Sequence, residues 1–528
     1  MKVLIADGVS QEGIDILSKD FEVVVKPKLP ADELLEIIPQ FDGLIVRSAS
    51  KVTKEVLAAA ANLKVIGRAG VGVDNIDVQA ATDKGVIVLN APEGNTIAAT
   101  EHTMAMMLAM SRNIPIANET LQKGEWNRSK YVGVELREKT LGVIGLGRIG
   151  SGVAKRAQAF DMNIIGYDPY INEERAKNLG IEVVSLDEIY ERADFITVHM
   201  PLTPQTKGMI NKEIMAKMKK GVRLVNCARG GIIDEKDLAE AVKEGIVAGA
   251  AIDVFTSEPL GLEHPLVGVD HIVLTPHLGA STMEAQVGVA VDVAHGVAGA
   301  LKGEPVLTAV NMAPVSAQVM KLIKPYFTLA ERMGCTARSL ANGAIHEVEV
   351  EYKGEISELD TKMVTTAVLK GILNPILQEV VNYVNAPSIA KSRNIKVKEV
   401  KYKEAENFAN LLTVRIKAKK DEVISIQGTL FGEEARIVSI NGYRVDVDPH
   451  ARILICPHIN CPGIIGKVGS VMGAAGINIS SMQVGKTDVS GTNIMVLSVD
   501  NDIPSHVLDE VVAIEGIFGA KLVNFYAI

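Results

Sequence analysis

Short apolar runs alternate with amphipathic stretches over the first 95 positions. The runs at 2–6, 22–25, 43–46, 65–68 and 86–89 read as strands, and stretches such as 31–38 between them read as helices. Continuous apolar strands separated by helices predict a parallel sheet with covered faces. Residues 97–113 form one predicted helix, apolar over much of its circumference, as expected of a helix buried between layers or subunits. A second strand–helix series starts at Thr140, with strands at 141–144, 163–167, 195–198, 223–226, 248–253 and 272–275. A helix from Ser281 to about Leu301 leads back to the first sheet, and 303–314 reads as a linker. Residues 315–450 are mixed α/β without a catalytic motif. From 451 onward strands at 451–456, after 478, at 492–499 and at 520–527 enclose two helices, a βαββαβ pattern.

The expected architecture is α/β. Two Rossmann-like or flavodoxin-like parallel-sheet domains come first, one inserted in the other: a discontinuous substrate domain, 1–97 with 284–306, and a cofactor domain, 98–283. An α/β regulatory domain, 315–450, and a βαββαβ domain, 451–528, follow. A chain of 528 residues, 47% hydrophobic, can support that many cores. Its net charge of -9 argues against a nucleic-acid-binding face. No run reaches the ~18 apolar residues of a membrane span. Cys227, Cys335, Cys456 and Cys461 form no CxxC pair, which fits a reducing cytoplasm.

The chemistry begins at Gly145-Leu146-Gly147-Arg148-Ile149-Gly150, between a strand and a helix. The first glycine permits a tight turn, the second lets backbone approach a pyrophosphate, and the third lets helix pack on strand. The helix N-terminus supplies free N–H groups to the anion. Asp168 ends the next strand, where its carboxylate accepts from both ribose hydroxyls and repels a 2′-phosphate, so NAD is expected rather than NADP. Three later strand ends carry Arg229, Glu258 and His277. Neutral His277 can take a hydroxyl proton, Glu258 can fix its tautomer and stabilise the imidazolium, and Arg229 can grip a carboxylate. Arg47, Arg68 and Arg128 suit a phosphate dianion, with Lys51 equally readable as a solvated charge. Backbone amides near Ser48 and Gly70 to Gly72 can hold a carboxylate. His458 and Cys461 near Cys456 fit no zinc spacing, and no metal is expected.

The segments 145–150, 226–234, 253–259 and 276–282 resemble the D-isomer-specific 2-hydroxyacid dehydrogenases, in a long form that spans essentially the whole chain. The resemblance implies that Arg229, Glu258 and His277 are the catalytic trio. It implies NAD contacts by Gly145, Gly147, Arg148, Ile149, Gly150, Asp168, Val71, Met200, Cys227, Ala228, Asp253, Leu278, Gly279 and Ala280. It implies substrate contacts by Arg47, Ser48, Lys51, Arg68, Gly70 and Arg128, with D-3-phosphoglycerate as substrate and 2-oxoglutarate as a possible side substrate. The last domain resembles an ACT domain, which implies L-serine as effector through His458, Asn460 and Asn478 at an interface between copies, and hence a homo-dimer or tetramer. In the intervening region Lys391, Arg393 and Arg444 are candidates for an anionic effector, though a solvated face explains them as well. Two rivals share the scaffold: a hydroxypyruvate or glyoxylate reductase, and an NAD-binding amino-acid sensor without turnover. The ACT-like domain argues against the first and the intact trio against the second.

Overall fold

The computed structural model describes residues 1–171, 173–304, 306–377, 381–405, 407–419, 422–450, 452–486 and 491–525. Residue 305 of the predicted linker, 451 of one predicted strand and 526–527 of the last lie outside the described residues.

Strands β1 (Lys2–Ile5), β2 (Glu22–Val25), β3 (Gly43–Val46), β4 (Val65–Arg68) and β5 (Ile87–Asn90) form a parallel sheet of order β2-β1-β3-β4-β5. That is the flavodoxin-like order, which reverses between β1 and β3. Helix Met283–Leu301 packs on this sheet, burying Val289, Val293 and Val297 with Val3, Ile45 and Val65. Contact is closest at Gly67, where a Cβ would stand 2.5 Å from Val293 Cγ1 and 2.7 Å from Val297 Cγ2.

The second sheet holds β6 (Thr140–Ile144), β7 (Asn163–Tyr167), β8 (Glu182–Val183), β9 (Phe195–Val198), β10 (Val222–Asn226), β11 (Val247–Ile252) and β12 (Ile272–Leu274). Its order is β12-β11-β10-β9-β6-β7-β8, and every pair is parallel. The order reverses between β6 and β9, so a crevice opens at their carboxyl ends. The predicted long helix is Thr96–Ser111, and its Met104, Met106, Met107 and Met110 are core, packed with Leu141, Val143, Val225 and Ala251.

The region after residue 314 is a mixed sheet of β13 (Ile345–Gly354), β14 (Lys396–Tyr402), β15 (Asn410–Ala418), β16 (Val423–Phe431), β17 (Glu434–Ile440) and β18 (Tyr443–Val447). Its order is β14-β13-β15-β16-β17-β18. Val348, Val350 and Tyr352 alternate inward against helices Pro325–Leu340 and Lys362–Leu373, while Glu347, Glu349 and Glu351 pair with Lys398, Lys417 and Arg415 on the other face. The last unit, β19 (Arg452–Ile459), β20 (Ile479–Lys486), β21 (Thr492–Val499) and β22 (Lys521–Asn524), is antiparallel in the order β20-β21-β19-β22.

Two expectations change. The stretch read as a linker is anchored along β5: Asn90 N donates to Thr308 O, Val310 N donates to Val88 O at 2.7 Å, and the Asn311 side chain accepts from Val88 N at 2.9 Å. The edge of β5 offers unpaired backbone groups, and this segment satisfies them. Strand β19 also continues through Pro457, three residues past its predicted end. Its β22 partner pairs only Arg452 to Ile455; beyond that, Phe518 N donates to Pro457 O, a bond that needs no proline N–H.

Replacing Gly67 with alanine forces a methyl into the helix–sheet contact. Denaturant melts are expected to give a loss of about 1–3 kcal/mol. The same change at Gly261, which has nothing within 4 Å of its would-be Cβ, should leave the midpoint in place.

Candidate active site

The glycine fingerprint is folded for a dinucleotide. Gly145 lies at φ +98, and a Cβ there would meet His199 O at 2.7 Å. A Cβ on Gly150 would stand 1.9 Å from Gly145 O, so helix Arg148–Gln158 starts directly against the turn. Gly147, the N-cap, faces open space and caps the helix with no side-chain hydrogen bond. The first-turn N–H groups therefore point at an unobstructed surface, which fits a pyrophosphate. Asp168 accepts from Leu146 N and Tyr170 N, at 2.9 and 2.8 Å, one on each carboxylate oxygen. Each oxygen keeps a lone pair, so the group fits a ribose diol. Arg148 pairs with Glu93 at 3.1 Å, joining the two sheets' loops across the crevice.

His277, Glu258 and Arg229 converge at the ends of β12, β11 and β10. His277 Nδ1 lies 2.8 Å from Glu258 Oε2, and Glu258 Oε1 accepts from Phe255 N at 3.0 Å. With Nδ1 directed at a carboxylate, Nε2 is left to face the crevice as the basic nitrogen. His277 itself has φ +54, a left-handed conformation rare for a residue with a side chain. Arg229 donates through Nε to Asp74 Oδ2 at 3.1 Å and through Nη1 to Ala228 O at 2.7 Å. Asn226 braces it by donating to Arg229 O at 2.9 Å. A Cβ on Gly72 would stand 1.8 Å from Arg229 Nη2, so this guanidinium rests on the backbone of the opposite loop.

Asp253, fully buried after β11, fixes the histidine loop. It accepts from Thr275 Oγ1, Leu278 N and Gly279 N at 2.6, 2.8 and 2.9 Å, and its carbonyl accepts from His277 N at 2.9 Å. His102 Nε2 approaches within 3.1 Å. Burial alone would raise the Asp253 carboxyl, but the hydrogen bonds from His102, Thr275 and Leu278 outweigh it and hold the group below its ordinary range.

Opposite this wall, cations crowd without enough partners. Arg68 Nη2 donates to Ser48 Oγ at 3.2 Å, and Arg68 Nε is buried with no hydrogen-bond partner among the described residues. Burial, then the charges of Arg229 and Arg47, push the Arg68 guanidinium down to about 10. The loop carrying Arg47 and Ser48 is pinned from below. Asp7, 4% exposed, accepts from Arg47 N, Ser50 N and Ser50 Oγ, and Asn75 donates to Arg47 O and Ser50 O. Sequence reasoning misses Asp7, Asp74, Asn75 and His102 as site residues. The partners named here lie 25 to 155 residues away, and no local spacing announces them.

The structure thus brings Arg47, Ser48, Arg68, Gly70 and Arg229 together. Lys51 is exposed, and Arg128 sits exposed on the turn Arg128–Tyr131; neither makes a hydrogen bond or ion pair with that cluster among the described residues. Val71, Met200, Cys227, Ala228, Ile149 and Ala280 are half-buried around the crevice. In the last unit His458 is 2% exposed, with Nδ1 on Ile459 O and Nε2 buried and unpartnered among the described residues. His458 pairs in register with Asn493, whose side chain donates to Asn460 Oδ1 at 3.1 Å. Asn478 instead donates to Asp500, at the far end of β21. At about 3.3 Å per residue, one chain keeps it roughly 20 Å from His458. Lys391 and Arg393 end helix Ala386–Ser392, packed against β14, whereas Arg444 lies on β18 at the opposite sheet edge.

A glycine cradle, an acid at the ribose position and a histidine–carboxylate pair facing one crevice define a nicotinamide-dependent dehydrogenase. Residues 104–279 match the NAD binding domain of the D-isomer specific 2-hydroxyacid dehydrogenases, 322–441 the D-3-phosphoglycerate dehydrogenase intervening domain, and 459–516 the ACT domain. The D-3-phosphoglycerate dehydrogenase of Methanocaldococcus jannaschii is 46% identical over 99% of this chain and 100% of its own length. That of a Synechocystis species is 45% identical over 99% of this chain and 94% of its own. A glyoxylate reductase structure from Paecilomyes thermophila superposes with a TM-score of 0.55 at 31% identity, covering 59% of this chain and 98% of that one. The chain belongs to the D-3-phosphoglycerate dehydrogenase family, a long branch of the D-isomer specific 2-hydroxyacid dehydrogenases, and NAD is its cofactor.

Asp253→Asn should cost about 2 kcal/mol at neutral pH, because it weakens several buried donors' bonds at once. The native carboxyl is held low, so the wild-type advantage is complete above the unfolded value of about 3.9 and fades as pH falls through the lower native value. Paired denaturant melts at neutral and strongly acidic pH should show the gap closing.

Proposed function

We propose that this chain oxidises D-3-phosphoglycerate to 3-phosphohydroxypyruvate with NAD, the entry step of serine synthesis. The observation that carries this reading is the Arg47–Arg68–Arg229 cluster beside the His277–Glu258 pair, with Arg68 Nε buried and unpartnered among the described residues. A dianion plus a carboxylate supplies the charge that this cluster lacks. The full-length similarity to D-3-phosphoglycerate dehydrogenases supports the same substrate.

Arg229 and the amides of Ser48 and Gly70 to Gly72 orient the carboxylate, while Arg68, Arg47, Lys51 and Arg128 take the phosphate. His277 Nε2 receives the C2 hydroxyl proton, and Glu258 compensates the imidazolium that results. Gly145, Gly147, Arg148, Ile149, Gly150, Asp168, Val71, Met200, Cys227, Ala228, Asp253 and Leu278 to Ala280 would hold NAD, which when bound would supply the hydride-accepting chemistry. Closure of the cleft excludes water and aligns the reacting carbon. The shared carboxylate and a second distant anion make 2-oxoglutarate a side substrate. The ACT domain binds L-serine. His458 and Asn460 come from one chain and Asn478 from a second, because one chain holds them far apart. A homo-oligomer follows from that arrangement. The phosphorylated substrate and free cysteines suit the cytoplasm.

Arg68→Met is expected to raise KM for D-3-phosphoglycerate about a hundredfold, near 3 kcal/mol, while leaving KM for NAD unchanged. An unaltered KM would overturn the phosphate assignment. His277→Asn should lower kcat by ~10²–10⁴ with NAD affinity retained, and fluorescence titration of NAD separates the two effects.

A further inference from the structure

Three donors of different chemistry meet on the floor of the crevice, apart from the trio. His102 Nε2, Cys227 Sγ and a carboxylate oxygen of Asp253 all lie within 4.8 Å of one another. Helix Thr96–Ser111 supplies the histidine, while the cysteine and the aspartate follow β10 and β11. Imidazole nitrogen, thiolate sulfur and carboxylate oxygen are the three ligand types of zinc. Bond lengths of about 2.0–2.3 Å place tetrahedral ligands roughly 3.3–3.8 Å apart. His102 and Asp253 already stand at 3.1 Å, so small side-chain shifts suffice. The set is also braced behind: Thr275, Leu278 and Gly279 hold Asp253, as outer partners do in metal sites. His102 and Cys227 are half-buried, so solvent reaches the edge of the set.

We infer that His102, Cys227 and Asp253 form an inhibitory site for a zinc-class divalent cation, completed by one water and available when NAD is absent. Binding releases the Cys227 thiol proton to solvent, and His102 ligates through Nε2 with its proton on Nδ1; no group is oxidised or reduced. Burial and the nearby Asp253 charge push the free thiol up to about 12, so alkylating reagents find little thiolate at neutral pH, whereas a metal ion displaces the proton directly. Metal binding stands on geometry alone. Only the competition with NAD rests on the placing of Cys227 and Asp253 at the cofactor.

The test uses the full-length enzyme with Co²⁺ alone as a spectroscopic probe and Zn²⁺ alone as inhibitor. One equivalent of Co²⁺ should produce a thiolate charge-transfer band, suppressed by saturating NAD. Half-inhibition by Zn²⁺ should need at least tenfold more metal in His102→Gln and in Cys227→Ser, and the same amount in Cys461→Ser, which removes the exposed thiol. If Cys227→Ser fails to fold, the wild-type spectrum and His102→Gln decide. Absence of the band, or inhibition that both site variants retain, overturns the site. A band that persists with NAD bound overturns the competition and the placing of Asp253 at the cofactor.

Discussion

One buried carboxylate ties the His277 loop to the rest of the molecule. Asp253 lies at the end of β11 with no exposure, and an unpaired charge there would cost several kcal/mol. It is instead surrounded by a hydroxyl, two backbone N–H groups and His102. Two of those donors belong to Leu278 and Gly279, and the Asp253 carbonyl receives the His277 N–H. The left-handed backbone of His277 is therefore held by the residue that also locks helix Thr96–Ser111 to the sheet. The proposed proton acceptor, His277, and the crevice floor are one mechanical unit.

The facing loops obey an opposite electrostatic rule. Asp7 and Asp74 are placed to orient cations rather than to neutralise them. Asp7 takes backbone N–H groups of the Arg47–Ser50 loop, and Asp74 takes Nε of Arg229, whose Nη2 lies against Gly72. Arg68 Nε is buried with no partner among the described residues, and burial, then the charges of Arg229 and Arg47, push its guanidinium down to about 10. In the function proposed above, entry of a multiply charged anion would relieve this gathered positive charge and turn repulsion in the cleft into binding specificity. Asp74 and Arg229 come from the two different sheets, so the same contact that aims the guanidinium also links the walls of the cleft.

Much of this is legible in the sequence alone. Parallel strand–helix repetition sends ligand-binding residues to strand carboxyl ends, so Asp168, Arg229, Glu258 and His277 are found just beyond the apolar runs of their strands. The glycine fingerprint carries its own geometry. The features that escape are long-range or collective. His102 sits within a helix that reads as plain core, and nothing near it points to Asp253 far along the chain. Asp7 reads as the end of a strand, and its role emerges only when β3 lies beside β1. The strands of the intervening sheet read only as mixed structure because runs such as Lys396–Tyr402 alternate charge with apolar residues, and their charges are paired across strands rather than along the sequence. Sequence reading groups Asn478 with His458, yet β21 keeps them apart within one chain.

The function proposed above has the cleft select a hydroxyacid by its second anion. Initial rates of NADH formation with D-3-phosphoglycerate and with unphosphorylated D-glycerate, the product trapped in both cases, test this most directly. The expected kcat/KM preference for the phosphorylated acid is about a hundredfold or more, the equivalent of about 3 kcal/mol of charge-assisted contacts. Equal kcat/KM values would contradict it and make the arginine cluster a feature of folding rather than of recognition.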